Sequence, residues 1–249
     1  MASIEVSEKA GVRYLHFGSS WIQGAMRVAR PWALELEYTR DMMLPLALHS
    51  RRDWPRHALV IGLGAGSIPK FLYRHYPRTH VHVVEIERGV VAAARQFFRL
   101  PADDPPRLAI EIVDGDDYVA RARREFDLIV VDGFDAHGRA GALDTLPFYC
   151  RARALLSPRG IMSVNLLGRS RGFRQSLERL REVFDGRSVA LPRSAFGNVI
   201  AFGSAGDAIE VTFAELRSAA AKLRRNTGLN LLPTIARMTA SGIGDPLVL

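Results

Sequence analysis

The sequence predicts an α/β fold: a parallel, doubly wound sheet covered by helices, preceded by a short β-rich N-terminal extension. Three observations carry that expectation. From His57 to Phe184, strand-like and helix-like runs alternate at a spacing of ~20–25 residues, the rhythm of consecutive βα units. The strand-like runs are short and almost continuously apolar, as strands buried on both faces must be. Two further runs, Ser188–Leu191 and Asn198–Phe202, lie too close together for a helix between them, so they are expected to pair as an antiparallel hairpin.

Taken in order, Val12–Phe17 alternates as a short strand and Trp21–Val28 reads as another. Pro31 and the apolar positions from Trp32 to Leu48 predict a connecting amphipathic helix. Residues 1–52 are therefore expected to form a small β-rich segment with its helix, and 53–249 the main domain. His57–Leu63 is an apolar run stopped by glycines. Strands are further expected over Val81–Ile86, Leu108–Val113, Phe126–Asp132 and Ile161–Leu166. Helices are expected over Pro69–Tyr76, Arg88–Phe98, Asp116–Arg124, Thr145–Leu156 and Gly172–Phe184, with helical tails at Phe213–Arg224 and Leu231–Met238. A parallel sheet closed by an antiparallel hairpin is the methyltransferase-like Rossmann arrangement. Such sheets bind ligands at the carboxyl ends of their strands.

Composition narrows the class. The chain has 249 residues, 48% hydrophobic and 24% charged, which excludes a disordered or fibrous protein. No apolar run approaches the ~18 residues of a membrane span, and the first residues lack the basic and apolar regions of a signal peptide. The one cysteine, Cys150, excludes an intramolecular disulfide and is expected as a small buried residue. His80 and His82 share a strand face without a third ligand and read as histidines on an edge strand, so no metal is expected. The expected compartment is the cytoplasm. The net charge is +8, yet the arginine clusters, such as Arg51–Arg52 and Arg169–Arg171–Arg174, are short and lack interleaved aromatics. They read as solvated helix faces, and neither nucleic acid nor membrane is an expected partner.

The densest chemistry lies at strand ends. The first buried strand runs into Gly62-Leu63-Gly64-Ala65-Gly66-Ser67. Glycine there permits a sharp turn and close approach of the backbone to a ligand. Glu85 ends the second strand, where a carboxylate can accept both hydroxyls of a ribose. Dinucleotide loops place their third small residue at position six. Here the third glycine is one position earlier, which fits an adenosyl-sulfonium ligand better than a pyrophosphate. The alternative is a tight turn with an incidental acid. The third strand ends in Asp114-Gly115-Asp116-Asp117. Asp114 is the candidate to meet an adenine amino group, while Asp116 and Asp117 suit capping of the next helix. Asp132 ends the fourth strand, and Gly133-Phe134 bends the chain before Asp135. Two carboxylates at that edge can bind a cationic substrate, and one can take a proton from an attacking amine. The alternative is two acids on a solvated loop.

At these residues the chain resembles the spermidine synthase family, the polyamine aminopropyltransferases. Trp21-Ile22-Gln23 resembles the family's "IQ" strand and Tyr38-Thr39-Arg40-Asp41-Met42 its "YHEM" helix. Leu59–Ser67 corresponds to the strand and glycine loop, and Val84-Glu85-Ile86-Glu87 resembles "VEID", whose first acid binds ribose. Asp114-Gly115 resembles the "DG" that meets adenine. Val131-Asp132-Gly133-Phe134-Asp135 resembles "VDSTD", whose two aspartates hold and activate the amine. The resemblance implies donor binding by Gln23, Gly62, Gly64, Gly66, Glu85, Asp114 and Gly115. It implies Asp135 as the base and Asp132 as the residue that orients the amine. The implied donor is decarboxylated S-adenosylmethionine and the implied acceptor a small amine such as putrescine, with no metal. Methylthioadenosine leaves. The family resemblance also implies a homodimer.

Three positions depart from the family pattern. Ala65 replaces an aspartate associated with the donor's aminopropyl amine. Arg40 and Asp41 replace histidine and glutamate. Pro192-Arg193-Ser194-Ala195-Phe196 lacks the family's Tyr-Pro. Two other readings therefore stay open: a methyltransferase using S-adenosylmethionine itself on an unknown small molecule, and a non-catalytic nucleoside- or nucleic-acid-binding paralogue.

Overall fold

A computed structural model of the chain describes residues 3–18, 21–49, 53–135 and 137–249. Arg51 and Arg52 lie outside them. Ile4–Lys9 (β1), Val12–Phe17 (β2) and Gly24–Arg27 (β3) form an antiparallel three-stranded sheet in chain order. β1 has no counterpart in the sequence reading. Only Ile4 and Val6 are apolar, and its remaining side chains are exposed, so the strand carries almost no hydrophobic signal. β3 is shorter than Trp21–Val28.

The expected connecting helix is two short ones, Glu37–Asp41 (α1) and Pro45–Leu48 (α2). Pro45 has no N–H to continue the ladder. Met43 and Leu44 instead donate to the carbonyls of Arg40 and Asp41, three residues back, and the chain tightens into a turn.

The main domain then runs His57–Ile61 (β4), Ser67–His75 (α3), His80–Glu85 (β5), Arg88–Phe97 (α4), Leu108–Ile112 (β6), Gly115–Arg121 (α5), Phe126–Val131 (β7), Leu146–Ala154 (α6), Leu156–Leu167 (β8), Phe173–Val183 (α7), Ser188–Ala190 (β9) and Asn198–Ser204 (β10). Its seven-stranded sheet has the order β6-β5-β4-β7-β8-β10-β9. β4 to β8 are parallel, and β10 is antiparallel to both β8 and β9. The expected hairpin therefore lies within the main sheet, and the methyltransferase-like Rossmann arrangement is present. The strand order reverses between β4 and β7, which places a crevice at their carboxyl ends.

Alternation along the central strands builds two cores. Ala58 and Val60 of β4 and Leu128 and Val130 of β7 face one cluster, whereas Leu59, Ile61, Ile129 and Val131 face the other. The first cluster also takes in Leu15, Met26, Met42 and Met43, so the N-terminal elements pack on that face.

The chain ends with Glu210–Val211 (β11), Phe213–Thr227 (α8), Leu232–Ala240 (α9) and Leu247–Val248 (β12), β11 pairing with β12. Arg237 of α9 reaches back to α1, 2.5 Å from Asp41 Oδ2 and 2.5 Å from Glu37 Oε1, while the Thr234 hydroxyl donates to Asp41 Oδ1 at 2.6 Å. Asp41 is 2% exposed, so α1 is pinned by a buried ion pair.

Two smaller expectations are corrected. Cys150 is exposed, because α6 buries Phe148, Tyr149 and Ala152 and turns position 150 outward. His80 and His82 lie on an inner strand, with β4 and β6 on either side. Among the described residues no helix is long and apolar enough to cross a membrane.

Candidate active site

The carboxyl ends of β4, β5 and β7 bring the glycine loop, Glu85 and Asp132 together. Gly62, Gly64 and Gly66 all have positive φ, at 92°, 50° and 67°. Space as well as φ demands glycine at the first two. A Cβ on Gly62 would lie 2.2 Å from the Asp132 carbonyl oxygen, and one on Gly64 2.9 Å from that of Gln23. The sequence reading assigned these glycines to a sharp turn and to ligand approach, and the structure adds packing against the protein's own backbone. Gln23 also lines the pocket that Tyr38, Leu63, Gly64 and Asp132 surround.

Glu85 is 8% exposed. Its Oε2 accepts the Leu63 N–H at 2.8 Å and its Oε1 the Glu87 N–H at 2.9 Å. Burial pushes its carboxyl up, and these backbone donors pull it back part of the way. The side chain braces the glycine loop against the end of β5. With the Ile86 N–H as a third backbone donor, one of the roughly four lone-pair positions stays open to a hydroxyl.

Asp114 is the N-cap of α5. Its Oδ1 accepts from the N–H groups of Asp116, at 2.7 Å, and Asp117, at 3.4 Å. The cap expected from Asp116 or Asp117 is thus supplied one turn earlier. Asp116 is instead paired with Arg151. Gly115 opens α5 against Ile61, whose Cγ2 would lie 2.5 Å from an added Cβ.

The two aspartates after β7 have opposite surroundings. Asp132 faces the pocket. Its Oδ1 accepts from Asn165 Nδ2 of β8 at 2.8 Å, and Asn165 Oδ1 accepts from Asn198 Nδ2 of β10 at 3.0 Å. Tyr38 of α1 also hydrogen-bonds to it. Burial raises the Asp132 carboxyl above its ordinary value, more than the Asn165 and Tyr38 hydrogen bonds lower it. The Tyr38 hydroxyl is driven up by burial and by the Asp132 charge.

Asp135 is exposed and bound within its own loop. It accepts from the N–H groups of His137 and Arg139 at 2.8 and 2.9 Å, and its Oδ2 is 2.8 Å from Arg139 Nε. Slight burial acts upward on its carboxyl, but the Arg139 backbone, the Arg139 guanidinium and the His137 N–H hold it below the usual range. Two carboxylates driven apart in this way are suited to different tasks.

Tyr38 stood in a recognised motif without a role, and Asn165 and Asn198 were missed. The available signal was an amide in the otherwise apolar stretch Val164-Asn165-Leu166-Leu167. Arg40, which stands where the family has histidine, donates to the Leu34 and Glu35 carbonyls at 3.0 and 2.6 Å.

Comparison with known proteins gives a consistent answer. The "Spermine/spermidine synthase domain" profile matches residues 35–213, the stretch that holds Tyr38, the glycine loop, Glu85, Asp114 and both aspartates. A polyamine aminopropyltransferase of Chromobacterium violaceum is 39% identical over 199 residues, 80% of this chain and 75% of the relative. One from Neisseria meningitidis serogroup A is 34% identical over 238 residues, 96% of this chain and 89% of the relative. Among solved structures, human methyltransferase-like protein 13 in complex with SAH matches with a TM-score of 0.69 at 27% identity, covering 78% of this chain and 93% of that one. A spermidine synthase in complex with the transition-state analogue AdoDATO has the same fold, with a TM-score of 0.68 at 22% identity over 94% and 84% of the two chains. The profile match across most of the chain, together with the identity to these two bacterial relatives, establishes that the protein is a transferase of the spermine/spermidine synthase family.

Proposed function

We propose that the protein transfers an aminopropyl group from decarboxylated S-adenosylmethionine to a small amine, with Asp132 as the base. The carrying observation is the placement of Asp132: a carboxylate on the pocket wall, raised by burial and oriented by Tyr38 and Asn165. The amine acceptor is protonated at neutral pH, with a pKa of ~10.4 for a lysine-like ammonium, and must lose a proton before attack. A raised carboxyl is the better match for that proton than a depressed one. In this reading Asp132 takes the proton, and the amine nitrogen forms a bond to the aminopropyl carbon beside the sulfonium. That C–S bond breaks with its electrons going to sulfur, and neutral methylthioadenosine leaves. Asp135, engaged by Arg139, shapes the loop and presents negative charge to the acceptor, which exchanges the roles that the family resemblance implied for the two residues. Glu85 holds the ribose, Asp114 and Gly115 lie at the adenine, and Gly62, Gly64, Gly66 and Gln23 line the remaining donor surface.

Calorimetric titration with decarboxylated and intact S-adenosylmethionine, followed by chromatography of methylthioadenosine released with putrescine, tests the proposal. The decarboxylated donor is expected to bind more tightly. Glu85→Ala is expected to weaken it by ~1.5–3 kcal/mol, the range for hydrogen bonds to a charged group. Binding of intact donor alone, with no methylthioadenosine released, would overturn the reading.

A further inference from the structure

α1 is five residues long and carries Tyr38, which lines the pocket with Asp132 and hydrogen-bonds to it. So short a helix does not hold itself, since about 12–15 residues are marginal in water. It has no side-chain cap, and Pro45 interrupts the helical run soon after it. The aim of the Tyr38 hydroxyl is therefore set by what grips α1 from outside.

Thr39 and Arg40 bond only to the carbonyls just before them, those of Leu34, Glu35 and Leu36. β10 packs against α1. Among the described residues, the side-chain bonds that reach α1 from elsewhere in the fold come from Asp132 and from α9. Arg237 of α9 forks: Nη1 lies 2.5 Å from Glu37 Oε1 and Nη2 2.5 Å from Asp41 Oδ2. Thr234 gives Asp41 Oδ1 its bond at 2.6 Å. Glu37 and Asp41 are one helical turn apart, so a planar fork across them resists both rotation and sliding of α1. Tyr38 follows Glu37 by about 100° around the axis, and a rotation that the fork prevents would swing its hydroxyl off Asp132. The Asp41 side chain is almost fully buried, so solvent screens the pair little. α9 lies outside the stretch matched by the family profile, which ends at residue 213.

We propose that Arg237 is a positioning residue for the transfer reaction: its grip on Glu37 and Asp41 aims Tyr38 at Asp132, so that a helix near the far end of the chain aligns the reaction centre. The effect on the base rests on the reading of Asp132 given above, whereas the coupling of Arg237 to Tyr38 does not. Arg237→Met alone leaves a buried carboxylate unpaired, so the working variant is Arg237→Met with Asp41→Asn, in which folding stability is largely recovered. It is compared with Tyr38→Phe and with the combination of all three substitutions, by methylthioadenosine release with putrescine at saturating decarboxylated donor.

Tyr38→Phe is expected to lower kcat roughly tenfold, and the working variant about three- to tenfold. The combination should fall no lower than Tyr38→Phe alone, because Arg237 acts through the hydroxyl already removed. Tyr38 is the titratable group bonded to Asp132, Asn165 is neutral, and Asp135 is engaged by Arg139. Loss of the Tyr38 donor should therefore move the acid limb of kcat/KM up by about one pH unit in all three variants. Fluorine NMR of protein labelled with 3-fluorotyrosine reads the coupling without turnover. The Tyr38 resonance, assigned by its loss in Tyr38→Phe, should shift on Asp132→Asn in the otherwise unmutated protein and shift far less in the working variant. An unchanged kcat and resonance in the folded working variant, or an equal loss of kcat with Phe at position 38, would overturn the proposal. Non-additive kcat values with an acid limb that persists in Asp132→Asn would sink the base assignment and leave the coupling of Arg237 to Tyr38 standing.

Discussion

Asp132→Asn separates the chemistry of the candidate site from its architecture. The amide has nearly the volume of the carboxylate. Its oxygen can still accept from Asn165 Nδ2, now at 2.8 Å, and its nitrogen can face the Tyr38 hydroxyl. The substitution also removes a charge that burial disfavours. Folding stability is therefore expected to change by less than about 1 kcal/mol. Turnover is expected to fall by ~10²–10⁴, the loss for a general base, equivalent to about 3–5 kcal/mol of barrier. The assay is methylthioadenosine release at saturating decarboxylated donor, with donor affinity measured in parallel and expected to be unchanged.

The pH profile adds a second check. The Asp132 carboxyl is raised, so its protonation should suppress kcat/KM on an acid limb that lies above the ordinary carboxylate range. That limb should vanish in the variant. Asp135→Asn is the comparison: it releases Arg139 and loosens the loop, and should raise acceptor KM while lowering kcat by less than about tenfold. If Asp135→Asn abolishes turnover while Asp132→Asn retains it, the argument from burial and hydrogen bonding is wrong.

Three further outcomes follow from the packing. Gly62→Ala puts a Cβ 2.2 Å from the Asp132 carbonyl oxygen at a φ of 92°, and should cost about 3 kcal/mol or more, lowering Tm by about 6–12 °C; an unchanged Tm in scanning calorimetry would mean that the two loops yield freely. Arg237→Met leaves the Asp41 carboxylate buried without its guanidinium, an expected loss of about 3 kcal/mol in urea unfolding, and adding Asp41→Asn should recover much of it; equal stability of the single variant and the unmutated protein would refute the coupling. Burial, aided by the Arg159 charge, pushes His49 down to about 4, so its neutral form contributes stability that is present above pH 6.5 and lost as pH falls from 6.5 towards 4. Over that window the contribution is at most about 3 kcal/mol, and His49→Phe should melt with a shallower pH dependence; identical slopes would remove His49 as the cause.

What could be read from the sequence was whatever burial writes into local pattern. β4 and β7 are apolar at every inner position because both faces of the sheet are covered, and the hairpin was betrayed by a gap too short for a helix. Glu85 was readable because it ends the strand that follows the glycine loop, next to the one that carries the loop. β1 was not, since it has one half-exposed face and one fully exposed one. The two halves of the connecting helix share one apolar stripe, and only the missing N–H of Pro45 divides them. The aspartates after β7 look alike in sequence. Their difference comes from Tyr38 and Asn165, which distant elements supply, and from the local Arg139. Arg139 stood four positions away in plain view, but nothing local said that it would turn back on Asp135.

The near-contact between Gly62 and the Asp132 carbonyl constrains how this enzyme can diversify. The glycine loop and the strand end that carries Asp132 are packed backbone against backbone, so a substitution that reshapes one reshapes the other. Any influence of bound donor on acceptor affinity must be returned in equal measure by the acceptor on the donor. New acceptor preferences therefore have little freedom to arise beside Asp132 itself. They can arise at the rim, in the exposed loop after β8, away from the close contacts between the glycine loop and its neighbours. A family with one reaction centre and many substrates is the expected outcome of that division between a locked interior and a free margin.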